Sequence, residues 1–247
     1  MAKLIKKNEN WFILAQNKQP MDVMDIRAQL HVMRDEGYCD FANRLIPGMA
    51  DDYIIGVRTP ALRAMAKNLV KAGGYVPFLA SLPHNHFEEN LLHAFILSYE
   101  KCTMAQCVER VESFLPYIDN WAVCDQFVIK RFADAPEQIY PLLKKWMASD
   151  LLYTRRFAVV NSMRFFLDGD FRPCMLDDAA SAVTDDYYMQ MAVAWYFATA
   201  LAKQYDAALP YIAERRLPPK VHAMAVRKAI ESLRIDAARK TIIKSFR

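Results

Sequence analysis

The chain has 247 residues and a mass of 28.5 kDa, enough for one large domain or two small ones. With 54% hydrophobic and 24% charged residues it can bury a full core, which excludes a disordered chain. Only 6 glycines occur, about a third of the ordinary share, so Rossmann turns, Gly-rich phosphate loops and tight hairpins are all disfavoured. Good helix formers (Ala, Leu, Met, Lys, Arg) are plentiful instead, and the reading is an all-α chain. Cys39, Cys102, Cys107, Cys124 and Cys174 form an odd set without a CxxC pair, which argues for a reducing compartment and against a disulfide framework or a zinc site. Met1 to Asn10 carries Lys3, Lys6 and Lys7 but leads into no signal-peptide apolar run. The longest nearly apolar stretch, Met191 to Ala202, is too short to span a bilayer. A soluble, cytoplasmic protein is expected. Its net charge of +4 and pI near 8.7 permit an anionic partner without requiring one.

In chain order, the hydroxyl of Thr59 before Pro60 predicts a helix start, Leu62, Met65, Ala66 and Leu69 follow at helical spacing, and Gly73-Gly74 closes it. Helices are then predicted over His86–Glu100, Met104–Phe114, Asn120–Ala133 and Glu137–Ala148. Ser149 or Asp150 caps the next, which runs to Leu167, and Asp185-Asp186 precede a long one to Gln204. Pro210–Arg216, Pro219–Leu233 and Ile235–Ser245 complete the series. Paired helices with short polar connections and a period near 40 residues predict an α-solenoid of the HEAT or armadillo type, a single domain over residues 1–247. Trp121, Arg156 and Trp195 lie on successive long helices, 35 and 39 residues apart (156 − 121, 195 − 156), so in such an array they share one concave face.

Trp121 and Asp125 stand one turn apart on one helix face. Arg156, flanked by Leu152 and Val160, sits on an apolar stripe and needs an anionic partner. That partner is a phosphate, or a protein carboxylate such as Asp125; the sequence leaves both open. Trp195 stands among alanines that leave its indole face uncovered, and Tyr187 and Tyr188 at the start of the same helix can offer hydroxyls to a phosphate. Lys130, Arg131, Lys144, Lys145, Arg155, Arg164, Lys203, Arg227, Lys228 and Arg234 read either as a solvated face or as a basic groove. The histidines form no ligand cluster, so no metal site and no cofactor are expected.

Together these segments resemble the DNA alkylation repair proteins of the AlkD type, HEAT-like DNA glycosylases. The match lies in Trp121-x-x-x-Asp125, in Arg156-x-Ala158, in Gln190-x-Ala192-x-x-Trp195, and upstream in Ile55-Gly56-Val57-Arg58-Thr59-Pro60-x-Leu62-Arg63. The four agree in order and spacing over roughly residues 20 to 235. The resemblance implies that Trp121, Asp125 and Trp195 are active-site residues and that Arg156 holds a backbone phosphate. Arg155, Tyr187, Tyr188, Lys130, Arg227 and Lys228 are the further DNA-binding candidates, and Tyr38 or Phe41 supplies the family's N-terminal aromatic. It also implies excision of positively charged N3- or N7-alkylated purines from double-stranded DNA; a monomer is expected because solenoids with capped ends are usually monomeric. A non-catalytic binder of damaged or branched DNA and a protein-binding helical scaffold are the alternatives.

Overall fold

The computed structural model describes residues 21–50 and 52–247; the Lys-bearing stretch Met1–Asn10 lies outside them. Fourteen α-helices and two short 3-10 helices, with no strand, make up the described residues. The chain divides into two compact units, Met1–Cys102 and Thr103–Arg247.

The first unit holds α1 (Val23–Val32), α2 (Glu36–Leu45), α3 (Thr59–Ala72), α4 (Val76–Ala80) and α5 (Phe87–Tyr99). α5 packs on α3 and is buried all round from Phe87 to Leu97. The expected α3 is present, but Arg58 takes the cap position in extended backbone and Thr59 is already helical. The Thr59 hydroxyl lies 3.5 Å from the Tyr38 hydroxyl instead.

A buried carboxylate organises the turn before α3. Glu88, fully buried on α5, accepts the backbone N–H groups of Ile55, Gly56 and Val57 at 2.8, 2.7 and 3.1 Å. Such an array satisfies a buried charge with oriented donors. Gly56 has φ +98°, and a Cβ there would lie 2.6 Å from Cys39 Cβ and 2.7 Å from the Asp35 carbonyl. Only glycine fits that position.

Beside Glu88, the buried Glu89 pairs with Arg27 at 2.9 Å and with His86 at 2.8 Å. His84 and His93 hydrogen-bond each other at 2.9 Å. Burial pushes His84 down to about 4, partly opposed by the charge of Glu89, and burial, helped by His84, holds His93 well below the usual range. Both folded values lie below the unfolded one, so the unfolded chain binds more protons and stability falls as pH drops from about 6.5 towards 4. The expected loss is about 3 kcal/mol from His84 alone. Replacing the pair by His84→Phe and His93→Leu, which keeps the stacking of residue 84 on Phe78, should flatten the fall of melting temperature between pH 7 and 4.5. An equally steep fall in the variant would place the acid sensitivity elsewhere.

The second unit holds α6 (Met104–Phe114), α7 (Trp121–Gln126), α8 (Pro136–Met147), α9 (Leu152–Phe165), α10 (Cys174–Ser181), α11 (Tyr187–Lys203), α12 (Tyr205–Ala213), α13 (Pro219–Glu231) and α14 (Ala237–Ser245). The long helices α9, α11 and α13 lie side by side in that order, and α8, α10 and α12 cover them from a second layer. They start 35 and 32 residues apart (187 − 152, 219 − 187). This is the stacked-pair packing of a helical-repeat solenoid.

Three expected elements differ. The helix over Asn120–Ala133 breaks after Gln126 and resumes as a 3-10 helix over Lys130–Asp134. Neither Ser149 nor Asp150 caps α9, whose cap residue is Leu151; the Ser149 hydroxyl accepts the Leu151 N–H at 3.2 Å. Pro210 is not a helix start but lies inside α12, which begins at Tyr205, directly after the cap residue Gln204 that ends α11. Proline is favoured in a first turn, but packing on α11 overrides that local preference here. No helix of the described residues is long and apolar enough to cross a membrane.

Candidate active site

The site begins with the helix that stops early. Asn120, fully buried, opens α7 by accepting the Val123 N–H at 2.9 Å. Phe127 ends it: the ring is fully buried, 4.9 Å from Phe157 and 5.5 Å from Phe114 between ring centroids. Continuing the helix would swing that ring away from its neighbours, and β-branched Val128 and Ile129 favour extended backbone. α7 is therefore only 6 residues long, with Trp121 first and Asp125 next to last. Both are half-buried and share a face.

Two arginines of α9 grip Asp125 at both ends. Arg156 donates from Nε to Oδ1 at 2.8 Å and from Nη2 to Oδ2 at 2.7 Å, a two-point ion pair. Its Nη1 donates to the Tyr188 carbonyl at the start of α11. Arg164, two turns further along α9, donates from Nη2 to the Asp125 backbone carbonyl at 2.7 Å. That carbonyl is one of those a helix C-terminus leaves unpaired, where a cation is also favoured by the helix dipole. The side chains of Arg156 and Asp125 are 6% and 16% exposed, so the carboxylate keeps an open edge while the guanidinium is enclosed. Burial works against the Arg156 charge, but the hydrogen-bonded Asp125 carboxylate holds its pKa above the ordinary value. Burial lowers that of Arg164 despite the same carboxylate. The neighbouring Cys124 thiol is pushed well up by burial and by Asp125, so it is no nucleophile.

α11 supplies the other wall. Asp186 caps it by accepting the Tyr188 and Met189 N–H groups at 2.7 and 3.1 Å. Gln190 of the sequence motif is structural, donating to the Thr184 carbonyl at 3.2 Å. The alanines at 192, 194 and 198 are buried, which lets α11 lie close against its neighbours and leaves Trp195 half-buried at its surface. Two turns before Trp195 on the same face is Tyr188, 6.5 Å from the ring of Tyr153 and 5.5 Å from exposed Tyr187. A cleft of about 280 Å³ opens beside Trp195, Ala198 and Thr199, faced by Lys228 and Glu231 of α13 and by Arg234.

Of the residues singled out from sequence, Asp125, Arg156 and Tyr188 come into direct contact, and Lys228 joins Trp195 at the cleft. The anionic partner of Arg156 is Asp125, the carboxylate alternative. Arg155 points elsewhere, donating to the Ser149 carbonyl at 2.9 Å and the Ala182 carbonyl at 3.5 Å. Lys130 and Arg227 are exposed, without an ion pair among the described residues. In the first unit Tyr38 is half-buried with the Arg58 guanidinium 5.3 Å from its ring centre, and Phe41 is 50% exposed.

The sequence reading missed what Arg164 does, naming it only among the basic residues, and missed Glu88 altogether. Arg164 follows Arg156 by two helical turns, a usable signal. A glutamate inside an apolar helix, 31 to 33 residues along the chain from the loop it holds, gives none. Among the described residues no three His, Cys, Asp or Glu side chains gather as a metal site.

No curated protein matches the chain. The family described as DNA alkylation repair enzyme matches residues 26–233, which takes in the turn held by Glu88 and the assembly from Trp121 to Lys228. The chain thus belongs to the DNA alkylation repair enzyme family, an enzyme of DNA repair whose substrate is DNA.

Proposed function

We propose that the protein is a DNA glycosylase that excises N3- and N7-alkylated purines from duplex DNA. The observation that carries this reading is the Asp125 carboxylate, fixed by Arg156 through both oxygens yet open on one edge. An alkylated purine already carries positive charge, so when the bond from C1′ breaks, its electron pair neutralises the base and no general acid is needed. The sugar left behind has oxocarbenium character. A fixed carboxylate stabilises that charge where it develops, and it orients a water whose oxygen forms the new bond to C1′ and whose proton is released. The indoles of Trp121 and Trp195 present π faces suited to a cationic sugar and base. On this reading Lys130, Arg227, Lys228 and the hydroxyls of Tyr187 and Tyr188 serve as phosphate contacts along the strand. None of the five cysteines is disulfide-bonded, which suits a protein working in a reducing compartment.

The test is release of alkylated purines from methylated duplex DNA by the purified chain. Appearance of 3-methyladenine or 7-methylguanine, with matching abasic sites in the DNA, is the expected result. No release, with salt-sensitive DNA binding intact, would overturn catalysis in favour of a non-catalytic DNA binder.

A further inference from the structure

Arg156 is badly placed to hold a phosphate as well. Three of its five N–H groups already donate within the protein, two to Asp125 and one to Tyr188, and with the side chain only 6% exposed the other two have little access to a strand. A strand whose sugar lies against Trp195 therefore needs another cation for the phosphate beside that sugar. The cleft next to Trp195 has two.

Trp195, Ala198 and Thr199 stand at i, i+3 and i+4 and form one stripe of α11, whose small side chains leave a concave floor beside the indole. Lys228 faces that stripe from α13. Past the end of α13 the Ser232 hydroxyl accepts the Arg234 N–H at 3.2 Å, a local turn that brings Arg234 to the same cleft. Glu231 lines the cleft too, yet neither Lys228 nor Arg234 forms an ion pair with it or with any other carboxylate among the described residues. Two unpaired cations around a concave surface raise the local potential for an anion, and a flat indole at its edge suits a deoxyribose.

We propose that this cleft is a phosphodiester subsite in which Lys228 and Arg234 hold the DNA phosphate adjoining the sugar that packs on Trp195. The assignment rests on the glycosylase reading only for which sugar lies there. Arg156 then acts as a positioning residue for Asp125, and the phosphate contact passes to α13 and the turn after it.

The experiment measures binding of the full chain to short duplexes in which one phosphate at a time is replaced by a neutral methylphosphonate. In the wild type, one replacement should weaken binding about tenfold. In Lys228→Ala/Arg234→Ala the same replacement should have no further effect, and the slope of log K against log salt should fall by about 1 to 2. Lys228→Arg/Arg234→Lys should restore the response. Both side chains lie at the surface, and an unchanged melting temperature would show that the fold survives. An equal methylphosphonate effect in wild type and double variant, or none in either, would overturn the subsite. The readout is binding alone, so it holds even if no base is released, and the two readings fail separately.

Discussion

Asp125→Asn should slow alkylpurine excision on the order of 10²–10³-fold, the range typical for losing one preorganised electrostatic group, while the chain stays folded and bound to DNA. The amide has the same shape, so Arg156 Nε keeps an acceptor at the position of Oδ1. Only the negative charge and the second strong acceptor are lost. A charge that matters chiefly when the sugar turns cationic should appear in the rate at saturating DNA and hardly in the dissociation constant. The buried guanidinium of Arg156 loses part of its counter-charge, so a stability loss of about 1–3 kcal/mol is expected as well. Single-turnover excision below the variant's melting temperature separates the two effects. Excision within a few-fold of the wild type would remove Asp125 from the chemistry.

Much of this arrangement was legible in the sequence, for identifiable reasons. The all-α class follows from scarce glycine and dense helix formers, and Met104–Phe114 has the very bounds the sequence suggests, because Thr103 and Gln106 form a local capping box. Asp186 and Gly73 likewise mark helix ends through their own chemistry. Two of the misses share a cause, packing that local rules do not announce, while the cap of α9 moved only locally, to Leu151. α7 stops at Gln126 because the Phe127 ring has a place between Phe114 and Phe157, and nothing near residue 127 announces those neighbours. Pro210 reads as a helix start by local rules, but packing on α11 carries it inside α12.

The same distinction runs through the site. Periodicity put Trp121 and Asp125 on one face, and a lone arginine on an apolar stripe required a buried anion. Which anion it was depended on the distance between α7 and α9, a tertiary quantity. The early break of α7 is itself part of the answer, since it frees the Asp125 carbonyl for Arg164 as well as turning the carboxylate to Arg156. The expected family pattern thus arises here from a short helix clamped at its end by two cations, rather than from the continuous helix over Asn120–Ala133.

Arg156→Met should reduce excision at least 10²-fold, and Asp125→Asn/Arg156→Met should be no slower than Asp125→Asn alone. If Asp125 carries the chemistry, Arg156 serves the reaction through it. Without the guanidinium the carboxylate loses both of its fixed donors, becomes free to rotate, and is left poorly compensated in a largely enclosed site. Breaking such a pair from one side costs about 3–5 kcal/mol of stability, whereas removing both charges leaves neither stranded. The double variant should therefore melt higher than the sum of the single losses implies, a coupling visible in a double-mutant cycle. Its net charge equals that of the wild type, which makes it the right chain for a salt titration. If Arg156 belongs to Asp125, the slope of log K against log salt should match the wild type. If it held a phosphate, the slope should fall by about 1. Additive rate losses together with a lower slope would return Arg156 to the DNA backbone and separate it from the carboxylate it touches.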